Sequence, residues 1–172
     1  MPNVIVIRNQ YPDNKSLRNV LEYALRSSLQ GGYAVNPEYA YSQMRMVKKA
    51  YHKTEGVQLK HFIVSFSHSE FGYLSLDEIM DVGYSVCQVF LEYQTVFSIH
   101  LDSGNIHMHF VMNTVSFLDG HKYAAGLSKF NEVRIMLQEM YPRFHCGLYQ
   151  SRKYSIGDPF TVEDEGKFEY LA

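Results

Sequence analysis

A chain of 172 residues, 46% of them hydrophobic and 20% charged, has the material for one domain around one substantial core. It carries no apolar run near the roughly 18 residues of a membrane helix and no basic-then-apolar leader, and its two cysteines, Cys87 and Cys146, fit no metal or redox spacing. A cytoplasmic protein with reduced thiols is expected, and the net charge of −2 confines any nucleic-acid contact to a local basic patch such as Arg45, Lys48, Lys49 and Lys53.

Taken in chain order, residues 4–7 are a short apolar run that predicts a strand, closed by a turn at residues 12–14. Ser16 is placed to cap a helix with Leu17, Val20, Leu21, Ala24 and Leu25 on one face. Gly31 and Gly32 end that segment. Pro37 opens a second helical stretch reaching about residue 54. Residues 61–67 alternate and are rich in Phe, Ile and Val, which predicts a strand. Ser75, followed by Asp77 and Glu78 in a first turn, caps a third helix extending to about residue 93. Residues 95–101 and 106–117 read as antiparallel strands, and Asp119-Gly120 is a hairpin signal leading into residues 121–124. Residues 128–140 form a fourth helix, and Met44 with Met46 and the 137–140 stretch read as core stripes. Beyond these the pattern is mixed, with roughly the last 20 residues expected to pack loosely. Central strands joined by short turns favour an α+β fold over residues 1–172, a single domain with an antiparallel sheet of about five strands flanked by helices.

The chemistry concentrates in residues 100–113, where His100, Asp102, Asn105, His107, His109 and Asn113 fall within fourteen positions. Strand alternation puts His107 and His109 on one face. A hairpin with Ser103-Gly104 at its tip sets His100 opposite His107 and Asp102 opposite Asn105. All three imidazoles then point one way and can hold one divalent cation with positions left open, the arrangement of a catalytic site. Asp102 can orient one of them as a hydrogen-bond acceptor or itself join the ligands.

This segment resembles the HUH signature of relaxases of the MOB-P mobilisation class, His-x-Asp-(Thr/Ser)-x-Asn-(Ile/Leu)-His-x-His followed by an Asn, matched here by His100, Asp102, Ser103, Asn105, Ile106, His107, His109 and Asn113. Leu21-Glu22-Tyr23-Ala24-Leu25 resembles the family's nucleophile block, and His61-Phe62-Ile63-Val64-Ser65-Phe66, with Glu70 after it, resembles its middle block. The three blocks occur in family order over roughly residues 1–145. One departure stands out: residues 27–32 replace the Pro-Glu-Lys-Thr-like stretch that many relatives carry after the tyrosine.

The resemblance implies site- and strand-specific nicking of single-stranded DNA at an origin of transfer, with accessory relaxosome proteins as partners. A divalent metal (Mn, Mg or Zn) would be held by His100, His107 and His109. Tyr23 would attack phosphorus and keep the 5′ end as a phosphotyrosine, with Asp102, or less directly Glu70, helping the phenol ionise. Ser65, Lys48, Lys53 and Asn113 are the expected DNA contacts, and Tyr41 and Tyr51 are candidates for base stacking. Tyr33, Tyr39 and Tyr41 compete with Tyr23 for the nucleophile's role, while His52, His61, His68, His121 and His145 are read as structural or exposed. Three alternatives stay open: a rolling-circle replication initiator using a later tyrosine such as Tyr123, Tyr141 or Tyr149, a non-catalytic DNA- or metal-binding module, and a metal-dependent hydrolase of small molecules.

Overall fold

The computed structural model describes residues 2–67, 74–101, 105–152 and 167–172. In chain order the elements are β1 (Asn3–Val6), α1 (Asn14–Ala24), β2 (Gln30–Tyr33), a 3-10 turn (Pro37–Tyr39), α2 (Ala40–Ala50), β3 (Leu59–Phe66), α3 (Leu76–Val89), β4 (Thr95–His100), β5 (Ile106–Asn113), α4 (Ser128–Met140), β6 (Gly147–Ser151) and β7 (Phe168–Tyr170). The α+β class and the four helices among the described residues stand as expected. Ser75 caps α3 with a complete capping box, its hydroxyl accepting from the Glu78 backbone while the Glu78 carboxylate returns to the Ser75 amide. α1 starts earlier than predicted because Asp13, not Ser16, is the cap, its carboxylate accepting from the Ser16 amide at 2.8 Å.

Seven strands form one sheet in the order β2-β4-β5-β3-β1-β6-β7, two more than predicted even though the 121–124 stretch contributes only an isolated bridge between Val115 and Lys122. The sheet is mixed rather than antiparallel throughout, since β1 runs parallel to β6. β2 is the instructive omission. α1 ends at Ala24, ahead of Gly31 and Gly32, which do not close the helical segment but pair with Phe97 and Val96 of β4. The glycines serve packing here: a Cβ on Gly31 would stand 2.8 Å from both Phe97 Cε1 and the Tyr84 hydroxyl. Gly83 of α3 presses on the same Phe97 ring from the helix side, where a Cβ would come within 2.7 Å of Cδ2. Close approach of α3 to β2 and β4 needs both positions bare. Gly83→Ala is therefore expected to lower stability by about 1–3 kcal/mol through overpacking, read as a drop in Tm; an unchanged Tm would mean that Phe97 repacks without strain.

Two layers cover the sheet. On one face α3 and α4 bury Ile79, Val82, Val86, Val133 and Leu137 against Val4, Phe62, Val64, Phe97 and Phe110. On the other, α1 and α2 bury Leu17, Val20, Leu21, Ala24 and Met44 against Ile5, Ile63, Val96 and Val111. The core stripes are narrower than predicted: Met44 and Leu137 are buried, whereas Met46 is 66% and Met140 41% exposed, since neither falls on its helix's inward face. Alternation along each strand then fixes where the polar residues go. His107, His109 and Asn113 share the face of Val111, Ser98 and His100 that of Val96, and His61 and Ser65 that of Ile63. The central strands thus carry their histidines toward α1.

Candidate active site

The strand register sets the site. His100 pairs directly with His107, Ser98 with His109, and on the other side of β5 Ser65 pairs with His107 and Ile63 with His109. All three histidines are buried on the α1 face. The His100 and His109 rings lie 4.3 Å apart by centroids, and His107 lies 6.4 Å from His109. Asp102, Ser103 and Gly104 at the hairpin tip, and His68 and Glu70 after β3, fall outside the described residues.

The last turn of α1 brings a phenol to this face. The Tyr23 ring meets His109 edge-on at 5.3 Å and His100 at 5.9 Å. Its position is anchored from below. The Ala24 carbonyl accepts from Ser98 Oγ at 2.5 Å and from His100 Nε2 at 2.7 Å, so the end of the helix is tied to two side chains of β4. Arg26, three residues beyond Tyr23, sets its guanidinium carbon 4.8 Å over the Tyr23 ring. The open carbonyls at a helix C-terminus disfavour negative charge, and this cation offsets that effect beside the Tyr23 ring. Sequence reasoning missed Arg26, although its i,i+3 spacing from Tyr23 was the available signal.

His61 was assigned no function from sequence, and the structure puts it in the cluster. Its Nε2 lies 3.1 Å from His109 Nδ1, and its Nδ1 lies 3.3 Å from the Tyr11 hydroxyl. Burial, with His100 nearby, pushes the His61 pKa down to about 3. Burial, then the neighbouring histidines and Arg26, holds His109 well below the ordinary imidazole value.

These donors suit a divalent cation. Neutral imidazoles offer nitrogen lone pairs, and burial keeps His109 neutral. Because the Ala24 carbonyl can only accept, His100 carries its proton on Nε2, and in the neutral ring Nδ1 keeps its lone pair. Among the described residues no three His, Cys, Asp or Glu side chains are drawn into one coordination sphere; the fit lies in donor type and in the register of the three histidines.

A family model described as relaxase, MobA/VirD2-like, nuclease domain matches residues 14–144, most of the chain, and these span α1 through the segment after α4. The chain belongs to this relaxase family. It is accordingly a nuclease domain of the kind used in DNA nicking and mobilisation. No curated protein and no solved structure matches the chain. No helix among the described residues is long and apolar enough to cross a membrane.

Within this relaxase the other tyrosines take other surroundings. The Tyr33 hydroxyl donates to the Leu91 carbonyl, Tyr39 is exposed, and Tyr41 lies under Arg18 and Arg45. Tyr51 donates to the Phe117 carbonyl. Tyr123 and Tyr141 pack on the opposite layer, with α3 and α4, and Tyr149 meets the Tyr170 ring edge-on. Of the expected DNA contacts, Lys53 is exposed and Ser65 is buried on the strand position that pairs with His107.

Lys48 and Asn113 are not on the surface. Lys48 is only 2% exposed and its ammonium donates to Asn113 Oδ1, while Asn113 Nδ2 donates to Gln94 Oε1 at 2.9 Å and to the Met44 carbonyl at 3.2 Å. A phosphate contact needs an accessible ammonium; α2 turns this lysine inward beside Met44, where it closes a polar network under the sheet. Burial, with Lys122 nearby, lowers the Lys48 pKa to about 7. The unfolded chain, with an ordinary lysine pKa near 10.5, therefore binds more protons between pH 7 and 10.5, and stability attributable to this residue rises with pH across that window. Relative to Lys48→Met, the parent protein is expected to gain Tm as pH is raised from 7 to 10; a constant difference would mean that the folded lysine keeps its ammonium charge across that window.

Proposed function

We propose that this relaxase nicks one DNA strand at an origin of transfer by tyrosine transesterification, with Tyr23 as nucleophile and His100, His107 and His109 as the ligands of a divalent cation (Mn, Mg or Zn). The observation that carries this reading is the Tyr23 ring lying edge-on to His109 and His100 at the end of α1, which pairs a helix-borne phenol with the histidine face.

The Tyr23 oxygen attacks phosphorus, the bond from phosphorus to the 3′ oxygen breaks, and the 3′ oxygen leaves as a hydroxyl after taking a proton. The strand keeps a 5′-phosphotyrosine, so bond energy is conserved for rejoining. A cation held by the three imidazoles would polarise the scissile phosphate as a Lewis acid. Arg26 keeps positive charge at the phenol, favouring the developing phenolate and the phosphate oxygens. Removal of the phenol proton falls to Asp102 in this reading, with Glu70 second. Ser65 and Lys53 are the proposed DNA contacts, and three nitrogen donors favour Mn or Zn over Mg. Single-stranded DNA and accessory relaxosome proteins are the proposed partners, served by one domain over residues 1–172.

The test is to incubate the protein with Mn²⁺ and a supercoiled plasmid carrying the DNA that flanks its gene, denature, and look for DNA-linked protein. A nicked product with peptide attached at its 5′ end through Tyr23 is expected. Nicking that leaves both ends free of protein would replace the tyrosine with water and end this reading.

A further inference from the structure

A row of hydrogen-bonding groups runs away from the site beneath the sheet. His109 Nδ1 meets His61 Nε2 at 3.1 Å, His61 Nδ1 meets the Tyr11 hydroxyl at 3.3 Å, and Asn9 Nδ2 donates to that same hydroxyl oxygen at 3.3 Å. His61 and Tyr11 are both buried, and the His61 and His109 rings stack at 5.4 Å with 26° between planes. Tyr11 reaches this position at a backbone cost: its φ of 42° is a left-handed conformation unusual for an aromatic residue. The Tyr11 carbonyl is held there by the Gln58 amide at 2.9 Å. Strain of this kind persists where surrounding contacts fix it, and it often marks a functional constraint.

Each neutral imidazole carries one N–H, so the row has two directions. If Tyr11 donates to His61, then His61 donates to His109 Nδ1, and the His109 proton is left on Nε2 with no lone pair for a cation. If the row runs the other way, His109 Nδ1–H donates to His61 Nε2, His61 Nδ1–H donates to the Tyr11 oxygen, and His109 Nε2 presents its lone pair. The Asn9 amide donates to the Tyr11 oxygen in either direction; what selects the second is the Nε2 lone pair that a ligating His109 must keep.

We propose that His61 is a positioning residue that, backed by Tyr11 and Asn9, holds His109 in the Nδ1–H tautomer and so aims its Nε2 lone pair into the cation site. The inference rests on the reading of His109 as a metal ligand and adds what orients it: an uncharged imidazole–phenol pair. Ligating histidines generally depend on such a partner at the second nitrogen, and losing it costs roughly ten- to a hundred-fold in metal affinity.

The probe is Zn²⁺ alone, titrated into the full chain against a chromophoric chelator. His61→Leu, which removes the acceptor, is expected to bind roughly ten- to a hundred-fold more weakly than the parent. His61→Gln, whose amide oxygen accepts from His109, is expected to recover part of the loss, and Tyr11→Phe to show a smaller one. In ¹⁵N-histidine spectra of the unsubstituted protein, the His109 proton is expected on Nδ1. This measurement decides the matter even if His61→Leu fails to fold. Undiminished Zn²⁺ binding by folded His61→Leu, or a proton on His109 Nε2, overturns the proposal and leaves the ligand assignment standing. Failure of the unsubstituted protein to bind Zn²⁺ removes both.

Discussion

Tyr23→Phe is expected to abolish the covalent protein–DNA adduct, with nicking reduced on the order of 10⁴-fold or more, the scale seen when an enzyme loses its nucleophile. The substitution removes one oxygen and keeps the ring that lies edge-on to His109 and His100 and under Arg26, so packing at the end of α1 is retained. Metal affinity and Tm should stay near those of the parent protein. That combination separates a lost nucleophile from a damaged site. Adduct yield on denaturing gels, normalised to Mn²⁺-saturated protein, is the measurement. If Tyr23→Phe still becomes attached to DNA, peptide mapping will point to another tyrosine and the proposed chemistry must be rebuilt around it.

His109→Ala is expected to be the most damaging single change to cation binding. His109 stands between the other participants: His100 at 4.3 Å, Tyr23 at 5.3 Å and His61 at 5.4 Å by ring centroids. It lies on β5, which is paired on both sides, so no backbone shift can bring a substitute ligand into its place. Loss of an outer partner already costs ten- to a hundred-fold, so loss of a ligand should exceed about 100-fold in Zn²⁺ or Mn²⁺ affinity. Nicking should fall with it and recover only in part at high metal. Calorimetric titration of parent and variant checks this. Unaltered affinity in His109→Ala would exclude His109 from the ligand set, whatever happens to activity.

Much of this arrangement was legible from periodicity. The i,i+2 spacing of His107 and His109 and the short link back to His100 fix a shared face and an opposed pair, and both appear in the β4–β5 register. The Ser75 capping box was equally plain, since every group it uses is local. What sequence did not show depends on contacts distant along the chain. β2 was hidden because Gly31 makes room for Phe97, and nothing near residue 31 announces a ring from β4. β6 and β7 are short, and β6 pairs with β1 at the far end of the chain, a parallel pairing that local pattern does not encode. Lys48 looked like part of a solvated basic face until α2 turned it toward Asn113. His61 read as an ordinary strand residue because its partners, Tyr11 and His109, lie 50 positions before it and 48 after it.

The double hydrogen bond into the Ala24 carbonyl relieves the loop after α1 of a task. Ser98 and His100 clasp the residue next to Tyr23, the proposed nucleophile, so the separation of phenol and imidazoles is dictated by the sheet and not by the connection that follows. The stretch from Ser27 to Leu29, ahead of β2, is thereby released from holding Tyr23 and the histidines in place. Side chains between Ser27 and Leu29 can therefore be exchanged without moving Tyr23 relative to the histidines, because the clasp sets their spacing.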